Sequence, residues 1–143
     1  MRSFTFSLQK ILDLREFQKK QAQVELGKAV SEESRIQKNL EQIAKSRVET
    51  VKAADKMFSL TDLYNANVYL TFLDQKKEKN LVDLAQASAI ADEKREIMRE
   101  AMKKCKALEN LKERRKQAWQ REYNLEEENA IDEIVTGKFG NKV

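Results

Sequence analysis

Apolar residues recur at every third or fourth position from Leu8 onward. Alternating steps of four and three from Leu8 pass through Leu12, Arg15, Lys19, Ala22, Leu26, Ala29, Glu33, Ile36, Leu40, Ile43, Arg47, Thr50, Ala54 and Met57. Most of these are apolar, while the positions beside them are largely charged or Gln. A repeat sustained this long predicts the seam of a coiled coil, because it keeps one stripe of a helix turned toward a partner. Ser7 stands ahead of the stripe as the expected first cap. Glu16 with Lys20, and Glu41 with Lys45, lie one turn apart with the acid first, the favourable order for a weak helical pair.

The pattern changes between Phe58 and Leu63. Ser59 and Asp62 have the spacing of a capping box, with Thr61 as the alternative cap, and nothing else before residue 136 offers a comparable stop and restart. The expected turn therefore covers about 59–62. Beyond it a second stripe runs through Ala66, Leu70, Leu73, Leu84, Ala87, Ala91, Met98, Ala101, Cys105 and Leu108, then shifts register through Leu111, Ala118, Leu125 and Ile131. Lys77, Asn80 and Lys94 interrupt it, which predicts a loose middle with charged heads reaching the edge.

Two striped helices bury both stripes by folding back on each other. The expected architecture is all-α, a single long antiparallel two-helix coiled-coil hairpin over 1–143. Helix 1 covers about 7–58, helix 2 about 63–135, and a frayed tail 136–143. Helices of roughly 50 and 70 residues are about 75 Å and 105 Å long. Helix 2 should thus overhang the start of helix 1 from around Ala118 to Val135, leaving Trp119, Tyr123, Leu125, Ile131 and Ile134 partly unpaired. Apolar side chains in that position mark a partner or assembly site. A continuous rod pairing with a second copy would use the same stripes.

Composition strengthens the helical reading. The chain has no proline and three glycines, Gly27, Gly137 and Gly140, so only Gly27 interrupts the main body. Charged residues make up 36% and apolar residues 41%, with the two signs interleaved. That balance together with the helical spacing argues against disorder. A net charge of +4 without a basic stripe or interleaved stacking aromatics argues against nucleic-acid binding, and Glu109 and Glu113 flank Arg114, Arg115 and Lys116. No opening segment has signal-peptide character and no stretch is apolar enough to span a bilayer, so a reduced, cytoplasmic protein is expected, with Cys105 packed as a small hydrophobe.

Candidate chemistry is sparse. There is no histidine, and one cysteine makes no zinc cluster. Gly137-Lys138-Phe139-Gly140 lacks the residues of a phosphate loop. The acidic run Glu126-Glu127-Glu128 with Asp132 and Glu133 lies on one helix, which by itself cannot converge carboxylates in a cleft. No catalytic residue, metal or cofactor is expected. Leu63, Tyr64, Tyr69, Phe72 and Leu73 are more informative, because positions 69 and 72 fall beside the 66, 70, 73 line. They either shield the turn or form a second docking patch with Tyr69 and Phe72 as anchors.

The run Phe4-Thr5-Phe6-Ser7-Leu8-Gln9-Lys10-Ile11-Leu12-Asp13-Leu14-Arg15 resembles the opening of the flagellar export protein FliJ family. Leu108-Glu109-Asn110-Leu111-Lys112-Glu113-Arg114-Arg115, then Trp119, Glu122, Glu126 and Asp132-Glu133-Ile134, resembles that family's C-terminal pattern. The likeness spans nearly the whole chain. It implies a soluble component of the flagellar type III export apparatus, peripherally associated with the cytoplasmic face of the basal body. Members of the family are antiparallel coiled coils resembling the stalk of rotary ATPases. They insert into the ring of the hexameric export ATPase FliI and contact the export gate protein FlhA, with FliH and export chaperones as further partners. The insert implied here joins the first residues of helix 1 to the overhang. Its candidate contacts are Phe6, Leu8, Leu12 and Arg15, with Glu109, Leu111, Arg115, Trp119, Glu122, Glu126, Asp132 and Ile134. The gate-contacting positions fall early in helix 2, on Tyr69, Phe72, Leu73 and Lys76, with Asn80 at the position of the fourth family residue. The leading expectation is thus a non-enzymatic stalk or coupling protein. An export chaperone or escort comes second, a homodimeric scaffold third and an enzyme last.

Overall fold

The computed structural model describes residues 3–140, with side chains through 137. Two α-helices, α1 (Gln9–Ala54) and α2 (Leu60–Gly140), pack as an antiparallel hairpin. With 81 residues against 46, α2 is the longer, as the unequal unbroken runs require.

The connector lies at 55–59, a few residues before the expected 59–62. Leu63 N–H donates to the Ser59 carbonyl at 3.1 Å, the first bond of α2, which puts Ser59 at its N-cap. A cap residue is the last one outside its helix, so the reversal precedes Ser59 rather than following it. Thr61 falls inside α2. The end of α1 tightens through bonds from Lys56 N–H to the Ala53 carbonyl and from Met57 N–H to the Ala54 carbonyl, at 3.2 and 3.1 Å. At the start of α1 the cap position falls on Leu8, whose carbonyl accepts from Leu12 N–H at 2.9 Å. Ser7 is engaged elsewhere. The expected tail from 136 is helical as far as Gly140, since Gly137 without a following proline weakens a helix but does not stop it. Residues 141–143 lie outside the described residues.

Contacts group the chain into two compact units. One comprises 20–100, the other 1–19 with 101–143. In the first, Ala22, Ile36 and Ile43 of α1 bury against Ala66, Leu73, Ala87 and Ala91 of α2. These are the stripe positions, with alanine frequent where the helices meet. Arg47, on the stripe but exposed, forms an ion pair with Asp74 across the hairpin. Glu33 shows what a polar residue meets there: one of its carboxylate oxygens is buried with no hydrogen-bond partner. Of the expected interruptions, Lys77 is exposed, whereas Asn80 and Lys94 are half-buried, and the Asn80 amide donates to the Lys76 carbonyl at 2.9 Å.

In the second unit, Phe6, Leu12 and Cys105 form a buried cluster on which Phe4, Leu8, Leu108 and Leu111 pack. The segment before α1 belongs to this core although it is not helical. Phe6 lies within the cluster, and Phe4, two residues earlier, packs against it.

Candidate functional site

The sequence-predicted contacts in the second unit divide into two sets. Phe6 and Leu12 are buried, and Leu8 and Leu111 are half-buried against them, so these four join α1 and the segment before it to α2. Arg15 and Glu109 are half-buried; Arg15 Nη1 donates to Gln18 Oε1 at 3.0 Å. Arg115, Glu122, Glu126, Asp132 and Ile134 are exposed, and Trp119 is half-buried. The Arg115 guanidinium donates to Ser7 Oγ at 2.9 Å and lies 5.5 Å from the centre of the Phe6 ring.

Three aromatic rings follow one another along α2. Phe4 approaches Trp119 at 6.1 Å between centroids, tilted by 51°, and Trp119 stacks on Tyr123 at 5.3 Å and 25°. The expected overhang is therefore shorter than its sequence estimate, because the segment carrying Phe4 covers Trp119. Past Tyr123, every position from 124 to 137 is exposed, including Leu125, Ile131, Ile134 and Val135. The predicted stripe position Ala118 is exposed as well, and the covered line runs through Trp119 and Tyr123 instead. Partial burial pushes the Tyr123 hydroxyl pKa up, and the hydrogen-bonded Glu127 carboxylate raises it further.

Beneath this end, Cys105 is completely buried. Its Sγ donates to a Glu109 carboxylate oxygen at 3.4 Å, and ligand atoms of Glu16, Cys105 and Glu109 lie within 4.8 Å of one another. Burial first, then the Glu109 hydrogen bond and charge, push the thiol pKa up, with Lys19 opposing. A metal takes the thiolate, the form these surroundings disfavour, so the arrangement reads as a packed, hydrogen-bonded thiol. Phe4, Ser7 and Cys105 were not among the predicted contacts. The signal that would have found the first two is the Phe-x-Phe-Ser run reaching back across the hairpin from a position before the helix.

The other candidate surface belongs to the first unit. Tyr69 and Phe72 stack at 6.3 Å and 25° and stay 44% and 54% exposed, while Leu73 between α1 and α2 is 4% exposed. Lys76 is exposed. The apolar surface continues toward the connector through Leu63 and Tyr64 to Leu60 and the fully exposed Phe58. From Met57 to Leu73 the sole charged residue is Asp62. Leu60, Leu63, Tyr64 and Asn67 line a shallow depression there.

The helical hairpin carries exposed apolar surface in both units. The family model described as flagellar FliJ protein matches residues 4–143, and the chain belongs to that family. Membership makes it a coiled-coil component of flagellum biogenesis and type III export. Curated proteins and solved structures give no match. Among the described residues no helix is long and apolar enough to cross a membrane.

Proposed function

We infer that the chain is a non-enzymatic stalk that inserts into the ring of the hexameric export ATPase FliI, promotes its assembly and activity, and links it to the export gate protein FlhA. The observation that carries this reading is the exposed stretch of α2 past Tyr123, which extends a paired, aromatic-braced base. A segment held at one end by packing and bare along its sides is suited to a central hole. In this reading Arg15, Glu109, Arg115, Trp119, Glu122, Glu126, Asp132 and Ile134 meet the ring. Phe6, Leu8, Leu12 and Leu111 act from behind by fixing the base. Tyr69 and Phe72 dock on the gate with Lys76 beside them, and Leu73 supports their helix from the seam. FliH and export chaperones are further partners, and the chain works at the cytoplasmic face of the basal body.

The test is ATPase activity of FliI with and without the full chain, and with a chain truncated from Trp119 to Val143. A stalk stimulates hydrolysis and the truncated form does not. Stimulation retained after truncation, with loss of chaperone binding, would replace the stalk by an export escort. No stimulation by the full chain over a broad concentration range would sink the ring reading.

A further inference from the structure

The bare end of α2 has a definite facial chemistry. At about 100° per residue, Trp119, Tyr123, Ala130 and Ile134 fall on nearly one line, and Ile131 and Val135 widen it into an arc. The first two are half-buried, whereas Ala130, Ile131, Ile134 and Val135 are exposed. Glu127, hydrogen-bonded to Tyr123, lies inside the same arc and separates the covered pair from this exposed apolar patch. Glu126 borders one edge of this arc and Glu128 the other. Glu133 lies beside Glu126 at the first edge, and Glu122 and Asp132 occupy the opposite face together with Leu125, which lies off the apolar line. Between Arg121 and Lys138 the sequence has acids and no Lys or Arg.

Glu122 and Glu126, and likewise Glu128 and Asp132, stand four apart and repel along the helix. With no Lys or Arg within that span, positive charge brought from outside relieves a repulsion that solvent and salt otherwise only screen. The geometry points to a ring surface built as an apolar recess rimmed by lysine and arginine, which seats Ala130, Ile131, Ile134 and Val135 and pairs with acids at both edges. This inference rests on the ring reading above and adds the chemistry of the partner: apolar contact holds the helix, and charge sets its salt dependence.

The experiment measures stimulation of FliI by the full chain from about 50 to 300 mM salt, against the ATPase alone at each salt concentration. The half-maximal concentration of the unaltered chain rises by about tenfold across that range. A chain carrying Glu126→Gln, Glu128→Gln and Asp132→Asn needs about three- to tenfold more protein at low salt and shows a flatter salt dependence. Ile131→Ser with Ile134→Ser weakens stimulation at every salt concentration but keeps the slope, with helicity checked by circular dichroism. Stimulation that ignores both salt and the acid substitutions overturns the basic rim and leaves the ring reading standing. Salt sensitivity unchanged by those substitutions overturns it equally, since the charge would then reside elsewhere. Absence of stimulation by the unaltered chain removes both readings.

Discussion

Arg115 Nη1 donates to Ser7 Oγ at 2.9 Å, tying α2 to the segment that precedes α1. The same guanidinium lies against the Phe6 ring, whose other contacts are in the buried cluster with Leu12 and Cys105. One exposed side chain thereby clasps the non-helical stretch that leads into α1. Arg115→Ala should lower stability by about 1 kcal/mol, combining a hydrogen bond with an exposed cation–π contact. Hydrogen exchange over residues 3–8 should speed up more than exchange in the middle of α2. Equal acceleration in both places would show that the clasp is not local.

Arg47 and Asp74 form the corresponding ion pair between α1 and α2 in the unit that holds the connector. Both side chains are about half exposed, so the pair contributes little beyond fixing register. A double-mutant cycle with Arg47→Ala and Asp74→Ala should give a coupling of about 0.2–1 kcal/mol that shrinks at high salt. Zero coupling at low salt would mean that the pair does not persist in solution.

Cys105 should make stability fall at alkaline pH. Its folded pKa is raised by burial, so the unfolded thiol ionises first as pH increases. Its contribution is fully present below the ordinary thiol range of about 8.5 and is lost as pH rises from there through the folded pKa. Denaturant titrations between about pH 7 and 10 check the direction, and Cys105→Ala should flatten that part of the curve. The native thiol should also react slowly with a soluble disulfide reagent at neutral pH and quickly once unfolded.

Tyr69, Phe72 and Leu73 should separate into two behaviours. The first two are exposed and stacked on each other, so Tyr69→Ala with Phe72→Ala should leave the melting transition almost unmoved while abolishing binding to FlhA. Leu73→Ala removes a buried seam residue and should cost about 2–3 kcal/mol. Full FlhA binding by the double variant would remove the gate site from this face.

Gly27 offers the opposite sign. It lies within α1, has no positive φ, and a Cβ added there would meet nothing within 4 Å. Gly27→Ala should stabilise the hairpin by about 0.5–1 kcal/mol, read from the denaturation midpoint. If the variant is less stable, α1 needs flexibility at this point.

The seam was legible residue by residue. Leu12, Ala22, Ile36 and Ile43, with Ala66, Leu73, Ala87, Ala91 and Cys105, are stripe positions in the sequence and buried positions in the structure. Helical spacing reports which face is turned inward, and burial follows from that face. The candidate sites were legible as composition, in the aromatics near residues 69 and 119 and the acids after 121. Their division into covered and bare residues was not. Phe6, named as a ring contact, is buried in the core, and Trp119, expected to be partly unpaired, is half-buried beneath Phe4.

The sequence by itself determined two long helices, their unequal lengths and the stripe each one buries, because these depend on local spacing and on the scarcity of breakers. Tertiary structure alone decided that the segment before α1 joins the core, that Ser7 serves Arg115 rather than the helix start, and that the bare part of α2 begins after Tyr123. These depend on contacts between residues far apart in the chain, 108 positions in the case of Ser7 and Arg115. Helical periodicity relates a residue to its neighbours a turn away, whereas the packing of Phe4 on Trp119 exists only once the chain has folded back.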